Sequence, residues 1–434
     1  MNPLADASHA WRRTQLPGGL PLLSQPRSSA GLVAARLWIR GGSSRDPRGQ
    51  RGAMQLLAGT MTRGAGAYDT EALAELVEGR GAGLRSEATE DALVLSLKCA
   101  SEDAEDLLPL LLAMAAEPVL SPAQVELERE LNLQHLQRQR EDPFQLAHDG
   151  LRDLLYGDGA YGHDPMGVEE ELAGLGPEQL RPLVGGLAED GALLVLCGDI
   201  HQGLEGRLAE LLTARPWPTR APLAEPWSAP ATPRAGLARQ EQDTEQLVVM
   251  LGAATVPLGH PDALALRMLQ AHLGVGMSSR LFQVMREQRG LAYDVGVHMP
   301  PRCAAAPFVI HLSSSLARAR EACDALLEEW QRLSTESLAE DELSLALAKF
   351  RGQDAMGRQT CAQVADRQAL VLGHGLGERH VEECLERAGR LTPRDLRAAA
   401  QRWLSSPVLS LCGPAAALEA GERVWSGTVS APGG

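Results

Sequence analysis

Two side chains in this sequence have the types and spacing for work on a carbonyl group. Arg286 and Tyr293 stand seven residues apart in SSRLFQVMREQRGLAY, residues 278–293. A guanidinium holds a carbonyl or carboxylate through charge-assisted hydrogen bonds, and a phenol donates to a developing oxyanion. Each also has a plainer account. An arginine near a helix end is ordinarily a solvated cation favoured by the dipole, and a strand tyrosine is ordinarily half-buried packing. The surrounding stretch, 274–297, gives the pair more meaning. It reads as a glycine-rich turn, then about three turns of amphipathic helix with Leu281, Val284 and Met285 on the apolar side. Gly290 supplies a helix stop, and a strand carrying Tyr293 follows. The guanidinium and the phenol are then on either side of one sharp turn, where both can face one cleft.

The elements that must position such a pair recur along the chain. In the first half, strands are expected at 16–26, 31–46 and 91–100, with a last buried one at 191–200. Helices are expected at 52–62, within 69–84 ended by Gly79 to Gly83, within 101–122 stopped by Pro118, and at 122–142. The stretch 214–236 holds six prolines and almost no periodicity, so it reads as an extended connector. Beyond it come a strand at 245–257, a helix at 260–274, the 274–297 stretch and a strand at 306–315. Helices at 316–334 and 337–356 and a closing strand at 407–414 follow. This is the first half's order again at a period of about 220 residues. The domains read from it are 1–213 and 237–434, joined by 214–236.

Composition narrows the class. A chain of 434 residues with 44% hydrophobic and 22% charged residues is ordinary for globular domains. A formal net charge of −15 argues against a nucleic-acid surface, which needs a basic stripe. Seven scattered cysteines without a C-x-x-C pair point to a reducing compartment rather than a disulfide framework. The opening MNPLADASHAWRR lacks the order of a secretory signal, and no apolar run reaches the ~18–20 residues that span a bilayer. The expected location is cytoplasmic, without membrane or nucleic-acid partners. The GMSS cluster at 276–279 is no nucleophile elbow. GRGAG at 79–83 and GVG at 274–276 lack the order of a dinucleotide site and read as turns. The eleven histidines contain no i, i+4 pair, and His374 and His380 are six apart across glycines.

The string at 278–293, with WIRGGSSRDP at 38–47 and GHDPMG at 162–167, resembles the pitrilysin and mitochondrial processing peptidase family of inverted-motif zinc peptidases. The resemblance runs from 16 to about 414 and is strongest at 245–297. It implies an α+β fold: two homologous domains, each a mixed, mostly antiparallel sheet with helices on one face, closing as a clamshell. In that family the residues matching Arg286 and Tyr293 grip the peptide and help stabilise the tetrahedral intermediate. The turn at Gly274 and Gly276 resembles, in shortened form, a substrate-touching loop of the non-catalytic processing subunit.

The family's first domain carries its metal on the helix matching 52–62. Two histidines at i and i+4 reach one zinc ion, a glutamate between them activates water, and a later helix adds a carboxylate. Aligned on its flanking glycines, this chain has Gln55, Ala58 and Gly59 at those three positions. A shift by one gives Met54, Leu57 and Ala58, which is no better. The later ligand falls at Gln134 or His135, and neither is a carboxylate. The resemblance therefore implies no metal in this chain and none of the general base. Family active sites combine a zinc half and an Arg/Tyr half, which in the heterodimeric branch come from different chains. The expected function is a non-catalytic subunit that donates Arg286 and Tyr293, with zinc in a homologous partner and a peptide as substrate. Alternatives are a non-enzymatic scaffold, a homodimer that sequesters peptides, and an autonomous peptidase with a relocated metal site.

Overall fold

Long apolar strands buried on both faces organise each half of the fold. The computed structural model describes residues 10–28, 31–187, 189, 191–214, 217 and 236–429. The expected connector at 214–236 lies outside the described residues except for Ala214, Trp217 and Gly236, and so do residues 1–9. The chain forms two compact units: residues 1–136, 164–226 and 355–380 make the first, and 137–163, 227–354 and 381–434 the second. Each unit therefore takes one segment from the other half of the chain.

The first unit holds β1 (Arg12–Gln15), β2 (Pro21–Pro26), β3 (Leu32–Arg40), β4 (Gly83–Ala88), β5 (Ala92–Ala100) and β6 (Ala192–Gly198). They form one sheet in the order β1-β2-β6-β3-β5-β4, in which only β2 and β6 run parallel. The expected mixed, mostly antiparallel sheet is present. Val33, Ala35, Leu37 and Ile39 alternate onto one face, against the helices Ala53–Met61 and Ala104–Ala116. The opposite residues, Ala34 and Trp38, join Leu193, Val195 and Cys197 beneath the helix Cys361–Gly373. The expectation of helices on one face is thus incomplete, because a helix from the second half of the chain covers the other.

Two arginines on that covered face anchor the helix. Arg36, only 3% exposed, forms an ion pair with Asp366, with its Nη2 donating to Oδ2 at 3.1 Å. Arg40 donates from Nη2 to the carbonyl of Gly373 at 2.8 Å. A side chain at Gly373 would not fit, since its Cβ would come within 2.4 Å of the Trp38 ring. Replacing Asp366 by Ala leaves a buried guanidinium without its carboxylate, and is expected to cost roughly 1–3 kcal/mol. A urea unfolding midpoint that falls at constant slope checks this.

The second unit holds β7 (Leu237–Glu241), β8 (Gln246–Ala254), β9 (Asp294–His298), β10 (Pro307–Ser315) and β11 (Val408–Gly413). Their order is β7-β11-β8-β10-β9, again with one parallel pair, β7 and β11. One face packs on the helices Ala263–Gly274, Ala319–Thr335 and Ala415–Val429, and Pro393–Trp403 packs on the first two of these. On the other, Val248, Met250 and Val309 meet Ala147, Leu151 and Leu155 of the helix Pro143–Tyr156, the segment from the first half. The Tyr156 hydroxyl donates to the carbonyl of Ala305 at 3.0 Å, and the Ala304 N–H donates to the Tyr161 oxygen at 3.0 Å.

Local departures from the sequence reading have physical causes. The helix within 69–84 runs Thr70–Glu78 and ends, as expected, at the glycines that follow, where Gly81 has φ +63. Residues Gly83–Ala88 then pair with β5 as an edge strand, half-buried in alternation. The segment expected as ordinary helix after Leu281 is wound as a π-helix, Phe282–Gln288.

Candidate functional site

The π-helix and the turn after it bring Arg286 and Tyr293 together. Leu281, Val284 and Met285 are buried and fix the segment on the core. The wide winding shows in the bond from Arg289 N–H to Val284 O at 3.1 Å, one residue longer than an α-helical step. Gly290, at φ +60, reverses the chain, and Leu291 N–H closes the end on Met285 O at 2.7 Å. Tyr293 N–H then bonds Ser313 O at 3.0 Å, which delivers the tyrosine to the start of edge strand β9. Nothing lies within 4 Å of a Cβ added at Gly290, so only the left-handed backbone opposes a side chain there. Gly290→Ala is expected to cost about 1–2 kcal/mol, read as a lower Tm with an unchanged native circular dichroism spectrum.

The Arg286 guanidinium Nη1 donates to the Tyr293 carbonyl at 3.2 Å. Its carbon lies 6.0 Å from the Tyr293 ring centroid and 5.0 Å from that of Phe282, the range of cation–π attraction. The Tyr293 side chain is open to solvent, the residue being 77% exposed. The start of the segment is held from behind. Arg280 donates from Nε and Nη2 to the two carboxylate oxygens of Glu329, at 2.7 and 2.8 Å. These bonds to the buried carboxylate raise the pKa of the guanidinium. Sequence reasoning missed Glu329, which lies on a different helix and is joined to Arg280 only through tertiary packing.

The two glycines singled out in the preceding turn have different tasks. Gly274 gives room to β9, because a Cβ there would come within 2.9 Å of the Val297 side chain. Gly276 turns the chain at φ +74 with open space around it. Between turn and helix, Gln283 Nε2 donates to Met277 O at 2.6 Å, and the Met277 side chain is exposed. A hollow of about 460 Å³ beside the segment is lined by Arg280, Arg289, Glu328, Glu329, Arg332 and Glu336 among others. Its charges are paired internally, Arg280 with Glu329, Arg289 with Glu328 and Arg332 with Glu336. The hollow presents no uncompensated charge from these groups.

In the first unit the positions matching the metal motif lie on the helix Ala53–Met61. Gln55 spends its amide oxygen on the Ala88 N–H at 3.2 Å, at the end of β4. Ala58 is fully buried in the core. Gly59 faces Glu128, whose Oε2 would lie 2.6 Å from a Cβ at position 59. Glu128 is 8% exposed and accepts from Arg63 Nε at 2.6 Å, so its charge is already answered. Gln134 is exposed and His135 half-buried on the same long helix, Pro122–Gln139. An amide already engaged, a methyl group, a glycine and a carboxylate neutralised by arginine do not fit a zinc ion. Sequence reasoning had not singled out Glu128 or Arg63. The available signal was helical spacing: Glu128 lies about two turns before His135 on one face, and Arg63 one turn beyond Gly59.

Residues 22–166 match the family described as insulinase (peptidase family M16), and residues 189–350 match the peptidase M16 inactive domain. The chain belongs to the M16 peptidase family. Its relatives include an uncharacterized zinc protease of Streptomyces coelicolor, 24% identical over 93% of this chain and 89% of that protein. Another, YmxG of Bacillus subtilis, is likewise called an uncharacterized zinc protease and is 22% identical over 79% of this chain and 83% of its own. Among solved structures, a peptidase M16 inactive domain from Pseudomonas fluorescens superposes with a TM-score of 0.84. It is 23% identical and covers 93% of this chain and 98% of its own. A protease from Helicobacter pylori gives 0.81 at 16% identity, covering 93% and 99%. These two structural likenesses establish the M16 fold, an α+β architecture with two mixed sheets.

Proposed function

We propose that this M16 chain is the non-catalytic subunit of a heterodimeric zinc metallopeptidase. It donates Arg286 and Tyr293 to an active site whose zinc and general base belong to a homologous partner subunit. One contrast carries the reading. At the positions of the metal motif, Gly59 meets a Glu128–Arg63 ion pair and Ala58 is sealed in the core. The Arg286–Tyr293 pair, in contrast, is adjacent, supported from behind and open to solvent. A chain under selection only to fold has no need of an exposed phenol beside a guanidinium at a built turn.

In this role Arg286 binds a peptide carbonyl or carboxylate, and the Tyr293 hydroxyl donates to the oxyanion as the carbonyl becomes tetrahedral. The peptide lies extended and pairs by main-chain hydrogen bonds with an open strand edge, which β4 and β9 both offer. Gly274 and Gly276 shape the turn that presents Met277 beside it. The proposed location is the cytoplasm; none of the described helices is long and apolar enough to cross a membrane.

The test is reconstitution. Purified alone, the chain should leave a panel of unfolded peptides intact. Mixed with a homologue that has a complete His-x-x-Glu-His motif, it should form a one-to-one complex that cleaves them. A complex no more active than the zinc-bearing chain by itself would refute the donated half-site.

A further inference from the structure

The helix that crosses from the second half of the chain ends its packing on a cysteine pair. Cys197 is fully buried in β6, on the face that the helix Cys361–Gly373 covers. Cys361 is the first residue of that helix, capped by Thr360, and is half-buried against the same apolar cluster. Cys361 packs on the apolar cluster that contains Cys197, and the Cys197 thiol interacts with both the Cys361 thiol and the Arg27 guanidinium. Gln25 Oε1 stands 4.0 Å from the Cys197 sulfur. The pair thus joins a strand of the first half to a helix of the second, at the end of the helix opposite the Arg40–Gly373 contact.

We infer that Cys197 and Cys361 are a modification site: a reversible disulfide that fastens the helix Cys361–Gly373 to β6 when a peroxide or a small disulfide is present. The half-exposed sulfur reacts first. Hydrogen peroxide converts the Cys361 thiol to a sulfenic acid and releases one water. The Cys197 sulfur then gives up its proton and attacks the Cys361 sulfur. The S–S bond forms, the S–O bond breaks, and the departing hydroxide takes up that proton as a second water. Two thiols and one peroxide become one disulfide and two waters, and an external dithiol reverses the change.

The surroundings assign the two roles. Burial first, and the neighbouring Cys361 thiol second, push the Cys197 thiol up to about 12, while Arg27 works the other way. A buried, protonated thiol is inert toward an oxidant in solution. It becomes a nucleophile only toward a neighbouring sulfur that burial does not shield from it, and Arg27, whose charge favours the thiolate, steadies it as the proton leaves. The closed loop spans residues 198–360, which is long enough for a large restriction of the unfolded chain.

Intact full-length chain, reduced and then exposed to hydrogen peroxide or oxidised glutathione, should lose the mass of two hydrogens. Non-reducing peptide mapping should return one cross-linked pair through Cys197 and Cys361. Tm should rise by roughly 5 °C and fall back on adding dithiothreitol. Cys361→Ser should abolish the mass loss, the cross-link and the Tm rise while its reduced form melts like the reduced parent. Cys361→Ser suffices if Cys197→Ala fails to fold. An oxidised parent that carries glutathione or a sulfinic acid on Cys361 with Cys197 still free would overturn the inference, as would a cross-link through any other cysteine. Because none of these readouts uses peptide cleavage, the outcome is independent of the proposed subunit role.

Discussion

Arg286→Ala in this subunit should lower peptide cleavage by the two-subunit complex roughly 10²–10³-fold, the loss typical of removing one oxyanion-stabilising donor. Tyr293→Phe should act in the same direction and separates the possible causes. It keeps the ring that packs near the Arg286 guanidinium and removes only the hydroxyl. If that hydroxyl acts only on the tetrahedral species, kcat and kcat/KM fall together while KM holds. Arg286, which also grips the ground-state peptide, should in addition raise KM. Neither substitution should weaken the fold or the assembly, because both side chains are exposed and belong to no core cluster. Size-exclusion chromatography of the variant complexes supplies that control. Unchanged turnover in both variants would leave the pair with no catalytic role.

The second large effect is expected from trying to restore the metal motif. The triple change Gln55→His, Ala58→Glu and Gly59→His should destabilise the chain by at least about 3 kcal/mol and should not create a zinc site. Ala58 has no exposure, so a glutamate there buries a charge. A histidine at 59 needs the space held by Glu128, and moving Glu128 strands Arg63. Urea unfolding and metal analysis of the variant check both halves of this expectation. A stable triple variant that takes up one zinc would show that the site is only three substitutions from function.

Particular residues show what could be read before the structure. The order of elements was legible because β3, β5 and β8 are long apolar runs, bounded by glycine and polar loops, that periodicity detects. The run LVAARLWIR also hinted at burial on both faces, since it does not alternate. What covers the second face was not legible. Helical periodicity shows that Ala362, Ala365 and Ala369 share a side, but not which sheet they meet, and the sheet belongs to the other half of the chain. The Arg286–Tyr293 proximity was legible from Gly290, a local feature. The π winding was not, because buried Leu281, Val284 and Met285 fit a 3.6-residue period equally well. Glu128–Arg63 and Arg280–Glu329 escaped notice for one reason: each ion pair spans dozens of residues, and charge alone does not reveal its partner. β4 was obscured by the glycine tract before it, which reads as a turn whether or not a strand follows.

The division of labour between grip and metal is tested most directly by zinc binding to the single chain. After dialysis against zinc and removal of loosely held ions, the purified protein should retain far less than one equivalent and should cleave no peptide. One tightly bound zinc per chain, coordinated by its own side chains and accompanied by cleavage without any partner, would contradict it.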